Sequence, residues 1–381
     1  MNSNCILSHR TSKWFVLSLL ATALVASTAV GQEAQTKTDT ILFHDAHFHL
    51  TNYVQEGTDI RAFLKIMGNK VGRSMLCGIP LQQQWMHAST GDFAPTYYTQ
   101  TDAPLYYYSF TDAYIAMAYR SLAPEEQLRF DPMITGFNPT DMYAADHIRR
   151  VLMTFPGVFS GIGEFSIHKE FVSSKVAGEV ATVENRALEG ILDFAGEVGL
   201  PIVFHCDVDM PFPRPNQDPY LVTKLKELFL RHADTTIIWA HVGLGRVVRP
   251  VENQLAMVER MLKNPEMKHV CFDISWDETA KYLVKTPETV KVTADLINRY
   301  PERFLFGTDT VAPKSQKQYL GPYDIYSPLL AELTPKARML LVKGNYERIF
   351  DQARKRVRTW EKANVLKLAK GQRIAPAADV K

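Results

Sequence analysis

Residue types that hold metal ions recur at corresponding places along the chain. His47-Phe48-His49 sets two imidazoles on alternate positions. Alternate side chains of a strand face the same side, about 7 Å apart at the backbone, so both rings point into one space. Further on come Gly161-Ile162-Gly163-Glu164, Val203-Phe204-His205, Trp239-Ala240-His241 and Phe306-Gly307-Thr308-Asp309, each closing a short apolar run. Four imidazoles and two carboxylates from five runs can converge on a hard or borderline divalent ion such as zinc. An ion of that kind lowers the pKa of water from about 15.7 to about 7 and polarises the bond under attack. Each residue alone has a plainer reading: a single strand-end histidine is more often a hydrogen-bonded core residue, and Glu164 or Asp309 could cap a helix or pair in a loop. The conjunction weighs the other way, because so many ionisable groups in one place are costly without an ion or a catalytic task.

The elements that must position these groups follow from hydrophobic period. Apolar runs rich in Val, Ile and Phe lie at 41–47, 73–79, 132–137, 158–164, 201–205, 236–241, 269–275 and 303–307. Amphipathic stretches of helical period lie between them, among them 141–155, 179–198, 219–232, 251–264 and 287–300. Alternation of strand and helix predicts a parallel sheet, and eight such units over 41–350 have the length of a (β/α)8 TIM barrel in a single domain. An open doubly wound sheet would more often carry a glycine-rich phosphate loop after its first strand, and none is present there. In a barrel the reacting groups sit at the C-terminal strand ends, where the metal-ligand types fall here.

With these motifs in place the chain resembles the amidohydrolase superfamily of metal-dependent hydrolases over about residues 40–350. The likeness rests on Asp45-Ala46-His47-Phe48-His49-Leu50, on His205 and His241, on Gly307-Thr308-Asp309, and on Lys343-Gly344-Asn345 with Arg348 and Phe350. That closing motif and Cys271-Phe272-Asp273-Ile274-Ser275 look like the amidohydrolase-related branch, which holds aminocarboxymuconate semialdehyde decarboxylase and several lactone hydrolases. Much of the superfamily carries a carbamylated, metal-bridging lysine on strand four. Here Glu164 stands in that region, similar to the bridging glutamate of deoxyribonuclease-like hydrolases, and Lys169, five residues on, reads as a loop cation. The resemblance implies His47, His49 and Asp309 on one ion and His205 with His241 on another, Glu164 bridging. With a single ion the set is His47, His49, His205 and Asp309, leaving His241 for the substrate. Asp309 is the implied general base and His241 the group that polarises the oxygen on which charge develops. Asp273, and less strongly Asp45, would orient the imidazoles.

Substrate choice falls to the loops. Residues 81–104 include Trp85, His87, Phe93, Tyr97 and Tyr98, followed by Tyr106, Tyr107 and Tyr108, and read either as an aromatic lid or as an insertion packed on the exterior. The proline-rich loop 207–219 carries Arg214, and Arg246 follows His241 closely; either could bind a carboxylate. Trp276, just past strand seven, is a candidate for the pocket wall.

Composition bounds the remaining choices. The 381 residues are 46% hydrophobic and 22% charged, and past residue 31 the formal net charge is zero, which excludes nucleic-acid binding driven by bulk charge. Residues 1–31 read as a cleaved export signal: Arg10 and Lys13 precede an apolar run, too short at about 17 residues for a membrane span, and small residues close it. The mature chain is therefore expected to be periplasmic or secreted, with no stable membrane insertion. Cys77, Cys206 and Cys271 lack metal-like spacing and read as buried small hydrophobes. Residues 351–381 read as a basic helix with a solvated face and a tail. The expected function is a metal-dependent hydrolase, with a divalent metal (zinc, one ion or two), cleaving a small ester, lactone or amide. A non-oxidative decarboxylase with the same ligands is the alternative, a barrel turned binding protein a third, and a homo-oligomer is left open.

Overall fold

Each apolar run becomes a short strand that points its C-terminal end to one face. The computed structural model describes residues 41–79, 87–94, 103–169, 181–209, 219–246 and 254–369. Its strands are β1 (Phe43–Asp45), β2 (Phe48–His49), β3 (Val71–Leu76), β4 (Phe130–Ile134), β5 (Gly161–Ser166), β6 (Ile202–His205), β7 (Ile237–Trp239), β8 (Val270–Asp273), β9 (Phe304–Leu305) and β10 (Thr310–Val311). Eight of them form one parallel sheet in the order β1-β3-β4-β5-β6-β7-β8-β9. The circle closes through short links: the Ala46 N–H donates to Phe306 O at 3.1 Å, and β2 pairs in parallel with β10. Gly307 makes this closure feasible, since a Cβ there would lie 2.6 Å from His47 Cβ and 2.7 Å from its backbone nitrogen. The fold is a (β/α)8 TIM barrel.

The expected helices form at Ala144–Thr154, Arg186–Val198, Val222–Arg231, Gln254–Lys263 and Pro287–Arg299. Asn185 accepts the Ala187 N–H at the start of one, and Gly199, left-handed at φ 81°, ends it. Their apolar faces pack on the outside of the sheet, while a separate interior cluster takes Met75, Met133, Val203, Ile238 and Leu305 from five of the strands. Cys77 and Cys271 belong to that interior and all three described cysteines are buried and unpaired.

The basic C-terminal stretch differs from the expected solvated face. Helix Asn345–Ala369 buries Tyr346, Ile349, Phe350, Ala353 and Val357, the first three in the interior cluster. Its cations serve the barrel: Arg354 donates to Asp131 Oδ1 and to Phe130 O at 2.6 Å each, and Arg358 to Phe159 O at 2.8 Å. Asp131, fully buried, also accepts from Arg73 at 2.8 Å and from the Tyr346 hydroxyl at 2.7 Å. Asn345, from the closing motif, gives its amide hydrogens to Pro301 O and Phe304 O, pinning the start of β9. The expected export signal, the tail past residue 369 and part of the aromatic loop, with Trp85, Tyr97 and Tyr98, lie outside the described residues. No described helix is long and apolar enough to cross a membrane.

Candidate metal centre

Local backbone geometry aims the candidate ligands at one point. β2 holds His49, and His47 lies in the turn just before it. Glu164 sits inside β5, not at its end, on a bulge: Gly163 pairs with Val203 and Phe165 with Phe204, so Glu164 is the unpaired extra residue and its side chain is re-aimed. Gly163 is required there, at φ 105° with a would-be Cβ 1.9 Å from Val203 O. His241 lies beyond β7 in a tight turn at φ 56°, and Asp309 precedes β10 at φ 52°. Such left-handed backbone is sparsely populated by residues other than glycine and concentrates at functional sites.

The six side chains meet on Glu164. Its Oε2 lies 3.4 Å from His47 Nε2 and 3.2 Å from His49 Nε2, and Asp309 Oδ1 lies 3.4 and 3.0 Å from the same nitrogens. Its Oε1 lies 3.0 Å from His205 Nδ1 and 3.8 Å from His241 Nε2. Ligand atoms of His47, His49, Glu164 and Asp309 all fall within 4.8 Å of one another, as do those of Glu164, His205 and His241. Lys169, in the loop past β5, reaches the same carboxylate, Nζ 3.5 Å from Oε1, so this loop cation is part of the site.

What anchors the far side of each imidazole decides what the near side offers. His47 Nδ1 meets Asp273 Oδ2 at 2.9 Å, His49 Nδ1 meets Gly78 O at 2.8 Å, and His205 Nε2 meets Asp207 Oδ1 at 2.9 Å. Ser275 Oγ gives its one proton to Asp273 Oδ1 at 2.5 Å, so at 3.0 Å it accepts from His241 Nδ1–H. In the neutral rings of His47, His49 and His241 the outer nitrogens therefore carry the protons and the inner ones face the two carboxylates as lone pairs, while His205 lies between two carboxylates, its Nδ1 3.0 Å from Glu164 Oε1. Acceptors gathered this closely favour a cation, and Lys169 supplies one on the Oε1 side of Glu164. Two of those nitrogens, His47 Nε2 and His241 Nε2, are buried without any hydrogen-bond partner, which fits ligands awaiting an ion.

Electrostatics agree. Burial alone would push the Glu164 carboxyl up, but Lys169 and His47 outweigh it and hold it well below the usual carboxylate range. Asp309 is likewise held low, His47, His49 and His241 overcoming its burial. Burial opposes charge on His47 too, yet Asp273, Asp309 and Glu164 together raise it well above an ordinary imidazole. His241 goes the other way, its burial outweighing the carboxylates and favouring the neutral ring. Neutral, with its proton on Nδ1, it offers Nε2 to the site as a lone pair.

Among the substrate-binding candidates, Trp276 lies at the site, its ring 5.0 Å from His241 and 6.3 Å from His205. Arg246 stacks over that ring at 5.5 Å and is largely exposed, 3.7 Å from Glu278. Arg214 lies outside the described residues. Asp45 does not touch an imidazole; it accepts from the Thr308 N–H and hydroxyl, the His47 N–H and the Tyr319 hydroxyl, and so braces the two ligand loops against each other. Asp207 and Ser275 went unrecognised in the sequence, though His205-x-Asp207 and Asp273-x-Ser275 each carry the alternation that puts two side chains on one side.

Barrel and site together define a metal-dependent enzyme of the amidohydrolase kind. The profile of the amidohydrolase family matches residues 45–352, and the chain belongs to that family. Comparison with curated proteins finds no significant match. Similar solved structures include a Burkholderia multivorans amidohydrolase with bound zinc (12% identity, 81% of this chain and 99% of that one, TM-score 0.47). Others are a Pseudomonas putida protein provisionally assigned as a 2-pyrone-4,6-dicarboxylic acid hydrolase (14% identity, 82% and 98%, TM-score 0.47) and a Campylobacter jejuni dihydroorotase (12% identity, 81% and 83%, TM-score 0.46).

Proposed function

We propose that the chain is a zinc-dependent hydrolase of small esters, lactones or amides, exported by residues 1–31. The observation that carries the reading is the convergence of four imidazoles, each anchored on its outer nitrogen, on Glu164 and Asp309. His47, His49, Glu164 and Asp309 would hold the ion, whose Lewis acidity, when it is bound, acidifies water and polarises the bond under attack. Nitrogen and carboxylate donors at this spacing suit zinc.

Asp309 is the proton carrier of this reading. Its side chain retains 10% exposure whereas His47, His49 and Glu164 retain 0%, 3% and 1%, so it is the ligand carboxylate that borders the mouth. From there it takes the proton from attacking water and returns it to the leaving group. His241 Nε2, without a hydrogen-bond partner and 3.9 Å from Asp309 Oδ2, orients the water by accepting its second hydrogen. Trp276 walls the pocket on that side. The test is elemental analysis of the purified protein with an ester and lactone panel: activity that disappears on chelation and returns with zinc supports the reading, and full activity in the metal-free protein overturns it.

A further inference from the structure

Glu164 turns its two oxygens to different company. Oε2 faces His47 and His49; Oε1 faces His205, His241 and, at 3.5 Å, the Lys169 ammonium. The second triad of ligand types, Glu164 with His205 and His241, is therefore contested by a charge the protein itself supplies. Lys169 is delivered there by backbone: past the end of β5 the chain stays paired with the end of β6, the Ile167 N–H donating to His205 O at 2.9 Å and the Asp207 N–H to His168 O at 2.7 Å. Its side chain is 22% exposed, and its ammonium lies 5.8 Å from the centre of the Trp276 ring, whose face favours a cation.

We propose that Lys169 is a built-in cation at the second metal position, so that the chain binds one divalent ion at His47, His49, Glu164 and Asp309 and takes a second only weakly. The proposal rests on the metal reading above. A divalent ion seated among Glu164 Oε1, His205 Nδ1 and His241 Nε2 would compete with the ammonium for one carboxylate oxygen and be repelled at contact distance in a site with little water. The ammonium already neutralises that oxygen, which removes the need for the ion. Lys169 is thus a positioning residue that sets metal stoichiometry: the ligand set of a two-metal site is present, and one ammonium makes it a one-metal site.

The test is metal stoichiometry, which does not depend on knowing a substrate. The metal-free full-length protein, Lys169→Met and Lys169→Arg are titrated with zinc against a chromophoric chelator, with ions per chain checked by equilibrium dialysis and elemental analysis. Manganese loading adds a spectroscopic readout, because two ions bridged by one carboxylate couple magnetically. The expected result is one tight ion in the wild type and in Lys169→Arg, and two in Lys169→Met, whose second ion binds about 100-fold tighter or more than in the wild type. Lys169→Gln serves if the methionine variant fails to fold. Two ions of similar affinity in the wild type, or a single ion in both neutral variants, overturns the proposal and leaves the metal reading standing. No ion in any of the proteins overturns both.

Discussion

His47 and Asp273, fully buried and from opposite ends of the barrel sequence, are joined Nδ1 to Oδ2 at 2.9 Å. The same carboxylate takes, on Oδ1, the N–H groups of His241 and Ser275, so one side chain orients two ligand-bearing loops. Asp273→Asn would set an amide N–H or a lone oxygen against these donors and reverse the preferred tautomer of His47, placing its proton where the ion should bind. The expected consequence is a loss of metal affinity of about 10- to 100-fold, with the far-ultraviolet circular dichroism unchanged. Chelator competition measures it; unaltered affinity would remove Asp273 from this role.

Ligand deletion is the blunter counterpart. His47→Ala removes a nitrogen within 3.4 Å of both Glu164 and Asp309. Metal content and hydrolysis should fall together, and a variant that retains both would exclude His47 from the centre.

The catalytic face was more legible in the sequence than the reasons it works. Period and residue type located the strands to within a few residues, as with β5 at Gly161–Ser166 against an expected 158–164. Histidine and carboxylate at strand ends marked the candidate ligands because those types are rarely placed in a barrel mouth without a task. Three things escaped that logic. The left-handed backbone at His241, Trp276 and Asp309 leaves no trace in residue type, since only the closed barrel over-determines it. The bulge at Glu164 reverses the facing that plain alternation predicts. The basic run around Arg354 looks like a solvated face because its acceptors, Asp131 and the backbone oxygens of Phe130 and Phe159, come from far along the chain.

The bulge has a stability consequence of its own. Gly163 has φ 105° and no room for a Cβ, the Val203 carbonyl oxygen being 1.9 Å away. Gly163→Ala must push β5 and β6 apart or abandon the bulge, at a cost of about 3 kcal/mol or more. Urea unfolding of the variant should show a midpoint well below that of the wild type, and a wild-type midpoint would refute the assignment of strain.

A pH dependence is expected away from the metal centre. Asp112 is buried, its Oδ1 accepting the Thr135 and Gly136 N–H groups at 2.7 and 3.0 Å and its Oδ2 without a hydrogen-bond partner. Burial outweighs those two bonds and raises its pKa from 3.8 to about 7. The native state thus holds this proton more tightly than the unfolded chain does. Its contribution to stability is fully present below pH 3.8 and is lost as pH rises through about 7, with a slope of about 1.4 kcal/mol per pH unit in between. Asp112→Asn keeps the oxygen acceptor and removes the titration. Stability of wild type relative to variant, from urea curves at several pH values, should decline between pH 4 and 7; parallel curves would show that Asp112 does not titrate there.

The bond broken is decided by where water goes. In the hydrolytic reading Asp309, bordering the mouth at 10% exposure, takes a proton from a water whose oxygen ends in the product acid. In the decarboxylase alternative the same ligands hold a carboxylated substrate and no water oxygen is incorporated. Zinc-loaded protein in isotopically heavy water, offered lactones and esters beside aromatic and muconate-like acids, should release protons and place one heavy oxygen in each new carboxylate. Asp309→Asn should lower that turnover by about 100-fold or more, the usual contribution of a positioned acid–base group. Carbon dioxide release without heavy oxygen in the product would assign the lyase reaction, and with it a role for Asp309 in protonating carbon.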